Sequence, residues 1–383
     1  MHKITIFLLF LVNLAAAQNI FKGTIIDTDT KAPLEFVDVY NLENNTSTNE
    51  DGDFMFTSKS DSIKFTLLGY NSFSTVFNKI TSDTIRLKRN VIALDEIILT
   101  NENYLFPSIR KNIKRNYPLE PYQEKFFLRA ILKKDDTIIR IEDFIGVVER
   151  KILFATKEFP MPKKNYSIEL QNLRKAGIKE EDIYFKQMSF KNLLNLFVSV
   201  GLQKEHFLFK EGSLPDSTYI KLEFTPKEDG KYASKGYYII NTENYAIEEF
   251  YFINEKPTPL IKKRYLQYRT IFHEKRIKFK KHETQNKYVI DKAQFNIKVE
   301  TQIDSLKKEY YTVNYQYFTK EHFKDFDVKS NISINKDLFK VKYKYNADFW
   351  NNQNQLLLTK EMSQFLNKFR KENHEFKVKT NMD

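Results

Sequence analysis

From Phe207 to Phe318 the chain is a succession of short stretches in which apolar and polar residues alternate: Tyr219 to Phe224, Gly236 to Asn241, Tyr245 to Ile253, Lys263 to Phe272, Arg276 to Lys281, Lys287 to Ile297 and Glu309 to Phe318. Consecutive side chains of a strand point to opposite faces, so this pattern predicts an antiparallel meander with one buried face. The composition agrees. The 383 residues hold 34 Phe and 22 Tyr against nine Gly, and large aromatics favour pleated, half-buried surfaces. A hydrophobic fraction of 41% beside 29% charged residues belongs to a chain that folds. The expected class is mainly β.

His2 and Lys3 precede an apolar run, Ile4 to Val12, followed by Asn13-Leu14-Ala15-Ala16-Ala17-Gln18. A basic start, a short apolar core and an Ala-x-Ala ending describe a secretory signal peptide over residues 1–17. The run is shorter than the ~20 residues that cross a bilayer, so no transmembrane segment is expected in the mature chain. The expected destination is the periplasm, the periplasmic face of the outer membrane, the cell surface or the medium. The absence of Cys excludes a disulfide scaffold, a thiolate metal site and a Cys nucleophile. Charge then divides the mature chain: residues 18–100 carry 8 Lys+Arg against 12 Asp+Glu, and residues 101–383 carry 53 against 38. This asymmetry predicts two domains, 18–100 and 101–383.

In the first, short strands alternate with turn residues. Ile20 to Asp27 and Leu34 to Tyr40 read as strands around Asp29-Thr30-Lys31-Ala32-Pro33; Asp53 to Phe56, Ile63 to Leu68 and Ser72 to Phe77 follow. Four motifs lie in order: Gly23-Thr24-Ile25-Ile26-Asp27, Pro33-Leu34-Glu35-Phe36-Val37-Asp38-Val39, Thr48-Asn49-Glu50-Asp51-Gly52-Asp53-Phe54 and Leu67-Leu68-Gly69-Tyr70. Together they resemble the carboxypeptidase regulatory-like domain, and the resemblance implies a seven-stranded transthyretin-like β-sandwich. Leu94 to Thr100 is similar to the segment that follows this domain in outer-membrane TonB-dependent receptors, but residues 101–383 are too few for their plug and barrel. Asp27, Asp29, Asp51 and Asp53 could offer oxygens to Ca²⁺. Their spacing does not match the twelve-residue calcium loop, and Asp and Gly are the residues that tight turns require.

In the second domain, Ile109, Ile113 and Tyr117 stand four apart before Pro118 and predict a helix. Strands are expected at Phe126 to Leu132 and Ile138 to Phe154, and a helix from Ser189 to Gly201. After the meander, a last helix starts at Thr359 with Met362, Phe365, Leu366 and Phe369 on one stripe. The expected architecture is a larger β-rich α+β domain with an antiparallel meander and a few helices. Ile109 to Pro118 and Tyr345-Asn346-Ala347-Asp348-Phe349-Trp350 resemble segments of exported Gram-negative proteins of unassigned role. The meander resembles the half-barrel of periplasmic lipoprotein carriers, which is fold-level analogy only.

Catalytic chemistry finds little support. A zinc carboxypeptidase site needs a His and a Glu three apart with a distant second His, and none of His2, His206, His273, His282, His322 and His374 has Glu three residues later. No two Gly lie four apart, which excludes a Gly-x-Ser-x-Gly elbow. No catalytic residue, metal site or cofactor is assigned, and the protein is expected not to be an enzyme. Five Asp-Ser/Thr triplets, starting at Asp61, Asp83, Asp136, Asp216 and Asp304, resemble an O-glycosylation signal and equally suit turns that enter strands. The strongest surface feature is Lys262, Lys263, Arg264, Arg269, Lys275, Arg276, Lys278, Lys280 and Lys281, interleaved with Tyr265, Tyr268, Phe272 and Phe279. Read as a hairpin, it exposes a cationic face and buries an aromatic one. Export argues against nucleic acid as its partner; an envelope protein, anionic lipid or acidic glycan fits instead. The leading reading is a non-enzymatic cell-envelope binding or scaffolding module. The alternatives are a periplasmic carrier or chaperone for lipid or lipoprotein, using an apolar concave sheet, and a hydrolase whose site follows no motif.

Overall fold

The computed structural model describes residues 19–90, 104–178, 185–214, 218–228, 232–304, 306–353, 355–371 and 380–382. The signal segment and Leu94–Thr100 lie outside them. The described residues form two compact units, 19–90 together with 352–360, and 104–351 together with the residues from 361 onward.

The first unit is a sandwich of seven strands: β1 (Asn19–Asp27), β2 (Asp38–Tyr40), β3 (Asn45–Ser47), β4 (Asp53–Ser58), β5 (Ser62–Thr66), β6 (Phe73–Val76) and β7 (Thr84–Leu87). One sheet runs β4-β1-β7, with β1 and β7 parallel; the other runs β3-β2-β5-β6. Alternation along β4 turns Phe54 and Phe56 inward, and Phe54 meets Phe65 of β5 edge-on with ring centres 5.7 Å apart. The expected strand from Leu34 is shorter than its sequence suggests. Phe36 takes φ 65°, so the backbone leaves the strand region there and pairing starts at Asp38.

The recurring motifs have structural work. The Asp27 carboxylate accepts the N–H groups of Asp29 (2.9 Å) and Thr30 (2.8 Å), the Tyr70 hydroxyl (2.8 Å) and Arg89 Nε (2.6 Å). Those bonds, Thr30 foremost, hold its carboxyl well below the usual range. Asp53 accepts the Thr24 hydroxyl at 2.5 Å, and Asp51 accepts the Lys360 N–H at 2.9 Å. The acidic turns are thus spent on backbone and neighbours. Gly52 sits at φ 76°, where a Cβ would stand 2.5 Å from the Ile25 carbonyl oxygen. Chain from far downstream completes this unit: Thr46 Oγ1 donates to the Gln355 carbonyl (3.1 Å), and Leu356 is fully buried. Ser62, Thr84 and Thr137 from the Asp-Ser/Thr triplets each open a strand, as turn residues do.

The second unit holds α1 (Leu105–Asn116), β8 (Tyr122–Lys134), β9 (Thr137–Arg150), β10 (Tyr166–Gly177), α2 (Phe190–Leu196), β11 (Phe207–Ser213), β12 (Tyr219–Pro226), β13 (Ser234–Asn241), β14 (Ile247–Asn254), β15 (Ile261–Lys263), β16 (Leu266–Lys281), β17 (Tyr288–Ile303), β18 (Glu309–Lys320), α3 (Ala347–Asn352) and α4 (Lys360–Lys371). The eleven strands make one antiparallel sheet in the order β10-β9-β8-β18-β17-β16-β14-β13-β12-β11, with β15 added beside β16. Asp135 and Asp136 both take positive φ, as the two-residue β8–β9 turn demands. One face packs on α2 through Phe126, Phe144, Phe190, Phe197 and Tyr317, with Phe126–Phe190 ring centres 5.8 Å apart, and on α1 through Phe106, whose ring centre is 5.2 Å from that of Phe209. Trp350 of α3 lies 4.6 Å from the Arg174 guanidinium of β10, and Met362 of α4 lies beside Arg129 of β8.

The expected helix before Pro118 is present. Tyr117, just past its end, buries its ring and both accepts from Ile247 N–H (2.7 Å) and donates to the Ile247 carbonyl (3.0 Å). Ser189 caps α2 as its sequence predicts, its Oγ accepting the Asn192 N–H at 3.3 Å. Ser189→Ala is expected to cost about 1 kcal/mol in urea unfolding; an unchanged midpoint would show that the packing of Phe190 alone holds the helix. Among the described residues, no helix is long and apolar enough to cross a membrane.

Candidate functional site

The basic stretch is a hairpin only at its start, where the short β15 pairs with Leu266 to Tyr268 of β16. The two strands expected at Lys263 to Phe272 and Arg276 to Lys281 are joined: Leu266 to Lys281 is one unbroken strand of 16 residues, with register shifts at Thr270/Phe272 and at Lys278/Phe279. At 3.2–3.4 Å per residue the strand is about 50 Å long, so its two ends are separate surfaces.

Along its middle the cations are compensated or buried. Arg269 pairs with Glu300 on β17, its Nη2 donating at 3.2 Å and its Nε 3.0 Å from the other carboxylate oxygen. Arg276 stands 5.1 Å over the Tyr251 ring and 3.7 Å from a Glu249 oxygen. Lys280 pairs with Asp291 at 2.7 Å, and Lys278 is half-buried opposite Glu249. Lys275 shares a face with Ile277 and Phe279, so strand parity carries it into the core. It is 7% exposed, donates to the Ser199 carbonyl and lies 5.1 Å from the Phe250 ring. Burial pulls its ammonium down to about 8. The expectation of one solvated cationic face along the stretch is corrected on these grounds.

Four cations remain at or beyond the strand's ends. Lys281 is exposed at the C-terminal end. Lys262 and Lys263 of β15 and Arg264 of the turn into β16 are exposed at the other end. Lys263 pairs with Leu266 across a two-residue turn in which Arg264 takes φ 53°, a conformation that ordinarily favours Gly. A bond from Asp304 N–H to the Tyr265 carbonyl (2.8 Å) ties this turn to the β17–β18 turn. That brings a second group alongside: Leu306 is 64% exposed, followed by exposed Lys307 and Lys308. Leu260, Ile261 and Tyr265 are 45%, 44% and 48% exposed.

The tip therefore projects apolar side chains among cations, with Asp304 the one acid in residues 260–266 and 304–308. Reading residue types alone found the cations but missed Leu260, Ile261 and Leu306; the signal was the sequence Leu-Ile-Lys-Lys-Arg-Tyr-Leu itself. Grouped exposed apolar side chains rimmed by one sign of charge mark interaction surfaces.

The titratable groups that converge elsewhere are closed off. Arg129 and Asp143, and likewise Arg150 and Glu124, are fully buried pairs, at 2.7 and 2.8 Å. Among the described residues, no group of three His, Cys, Asp or Glu is placed to hold a metal ion.

Residues 21–99 match the CarboxypepD_reg-like domain family, so the first unit is a domain of that kind, as its four motifs imply. No curated protein matches the chain. Among solved structures it is similar to a LolA superfamily protein from Nitrosomonas europaea, with 10% identity and a TM-score of 0.22 over 58% of this chain and 94% of that one. It is similar to a domain described as outer-membrane lipoprotein sorting from Vibrio parahaemolyticus, at 8% identity and a TM-score of 0.25 over 58% and 92%. MucB in complex with MucA(peri) aligns at 7% identity and a TM-score of 0.20, over 57% and 94%.

Proposed function

We propose that the chain is an exported, non-enzymatic protein of the cell envelope that handles lipid or a lipidated partner, and that it meets the lipid surface with the β15–β16 tip. One observation carries this: Leu260, Ile261, Tyr265 and Leu306 stand exposed among Lys262, Lys263, Arg264 and Lys307. Cations near an anionic bilayer contribute about 1 kcal/mol each, and apolar side chains that enter the headgroup layer add about 25 cal/mol per Å² buried. Arg269, Arg276, Lys278 and Lys280 add little, because Glu300, Glu249 and Asp291 already face them.

Co-sedimentation with phosphatidylglycerol vesicles tests the reading. The mature chain should bind, and neutral phosphatidylcholine vesicles should not hold it. Replacing Lys262 and Lys263 together by Gln should weaken binding roughly thirtyfold, two charges at about 1 kcal/mol each. Arg264→Gly separates fold from function: it relieves the left-handed backbone, so stability should hold or rise, yet vesicle affinity should fall about fivefold. Equal binding to both vesicle types, unmoved by either variant or by salt, would remove the tip from the account.

A further inference from the structure

The opposite end of the long strand holds a cavity of about 460 Å³ whose lining includes Arg115, Asn116, Asn244, Lys281, Asn286 and Lys287. Its wall contains three cations, several amides, no carboxylate and no apolar side chain. Much of its exposed wall is the aliphatic stems of these side chains, so its selectivity rests on their charged and amide ends. We propose that it is a binding site for a phosphorylated sugar.

The geometry is set before any ligand arrives. Asn116 at the end of α1 is 4% exposed and donates to the Asn244 carbonyl at 2.8 Å. Asn244 is fixed in turn: its amide nitrogen donates to the Tyr288 hydroxyl (3.1 Å), and its amide oxygen accepts the Ala246 N–H (2.8 Å). The opposite wall is the tight β16–β17 turn. There His282 N–H donates to the Lys287 carbonyl, Asn286 N–H donates to the His282 carbonyl, and Asn286 takes φ 50°.

Lys287 donates to the carbonyls of Lys114 and Arg115 at 2.6 and 3.0 Å. It satisfies the last carbonyls of α1, which would otherwise repel an anion. Burial pulls its ammonium below the usual value, with Glu120 opposing the shift and Lys114 adding to it. The Arg115 guanidinium reaches one carbonyl oxygen, of Asn244, at 3.4 Å, which leaves most of its planar fork free to grip phosphate oxygens. Lys281 is exposed at the rim. Three positive charges match a phosphate monoester of about −1.5 to −2, and the side-chain amides of Gln285 and Asn286 in the turn suit sugar hydroxyls. This site does not depend on the lipid reading, because it stands about 50 Å of strand from the tip.

The experiment is titration calorimetry on the mature chain with glucose 6-phosphate, glucose and inorganic phosphate. Saturable binding of glucose 6-phosphate is expected at millimolar concentration or below, with inorganic phosphate weaker and glucose silent. Arg115→Gln and Lys281→Gln should each weaken binding fivefold or more with unchanged circular dichroism, and Lys262→Gln/Lys263→Gln should leave it intact. The same chemistry occurs on free sugar phosphates and on glycolipid headgroups. Vesicles carrying a phosphorylated glycolipid, added to the tip double variant, distinguish the two: competition with glucose 6-phosphate assigns the headgroup, and its absence assigns the soluble form. Failure of glucose 6-phosphate to bind, or binding indifferent to both Arg115→Gln and Lys281→Gln, would overturn the site.

Discussion

Replacing Asp143 by alanine is expected to destabilise the second unit by about 3–5 kcal/mol, the cost of leaving buried charge without its partner. Asp143 is fully buried on β9 and accepts from Arg129 Nε at 2.7 Å, Arg129 Nη2 at 3.2 Å and Arg174 Nε at 3.1 Å, with Arg174 Nη2 closer still. Burial by itself would raise its carboxyl, but the two guanidinium groups outweigh it and hold the carboxyl below the usual range. Without it, Arg129 at 0% exposure and Arg174 at 4% would face each other across β8, β9 and β10. Asp143→Asn keeps the shape and loses the charge, so it should fall between. A triple change of Arg129 and Arg174 to Met and Asp143 to Leu should recover most of the loss, because an apolar set removes the desolvation problem. Urea midpoints at constant m-value give the comparison. An alanine variant that unfolds at the wild-type midpoint would mean that water already reaches the guanidinium groups.

The same residues show where the sequence is readable. β18 shows its buried face at Tyr311, Val313, Tyr315 and Tyr317 and starts where the pattern puts it, whereas β17 runs past the expected Ile297 to Ile303, its period broken by three consecutive buried residues, Tyr288 to Ile290, beside a bulge. β10 is hidden from such reading. Its other face carries Arg174, and its inward face ends in Lys175, 3% exposed and donating to the carbonyls of Phe339 and Val341; a bulge at Leu170/Asn172 then shifts the period. β3, Asn45–Ser47, contains no apolar residue at all and is held by pairing with β2. At the candidate surface, residue type names nine cations and does not rank them. Which of them stay free depends on Glu249, Asp291 and Glu300, brought alongside by strand pairing, and on parity at Lys275. The return of residues 352–360 to the first unit likewise has no local signature, although Leu356 is fully buried there.

Glu142, next to Asp143 but on the opposite face of β9, should make stability fall as pH rises. Burial without a full ion pair pushes its carboxyl up to about 8, against 4.5 for a solvated Glu. Gln187 Nε2 donates to it at 3.1 Å, Arg140 and Lys175 draw it down, and Asp337 adds to the upward push; none reverses the shift. Below about pH 4.5 both states hold the proton, and the stabilisation is complete. Between 4.5 and 8 the native state keeps a proton that the unfolded chain releases, so stability drops by about 1.4 kcal/mol per pH unit. From pH 5 to pH 8 the loss is roughly 4 kcal/mol, and above 8 it stops growing. His322, which burial holds well below its usual value, contributes with the opposite sign at acid pH, so wild type alone cannot isolate the effect. Glu142→Gln can, because it retains shape and hydrogen bonding but cannot ionise. Its urea midpoint should nearly equal that of wild type at pH 5 and exceed it at pH 8. If the two proteins instead keep a constant difference from pH 5 to pH 9, Glu142 is ionised in the fold, and a cation or water reaches it through what is otherwise a closed core.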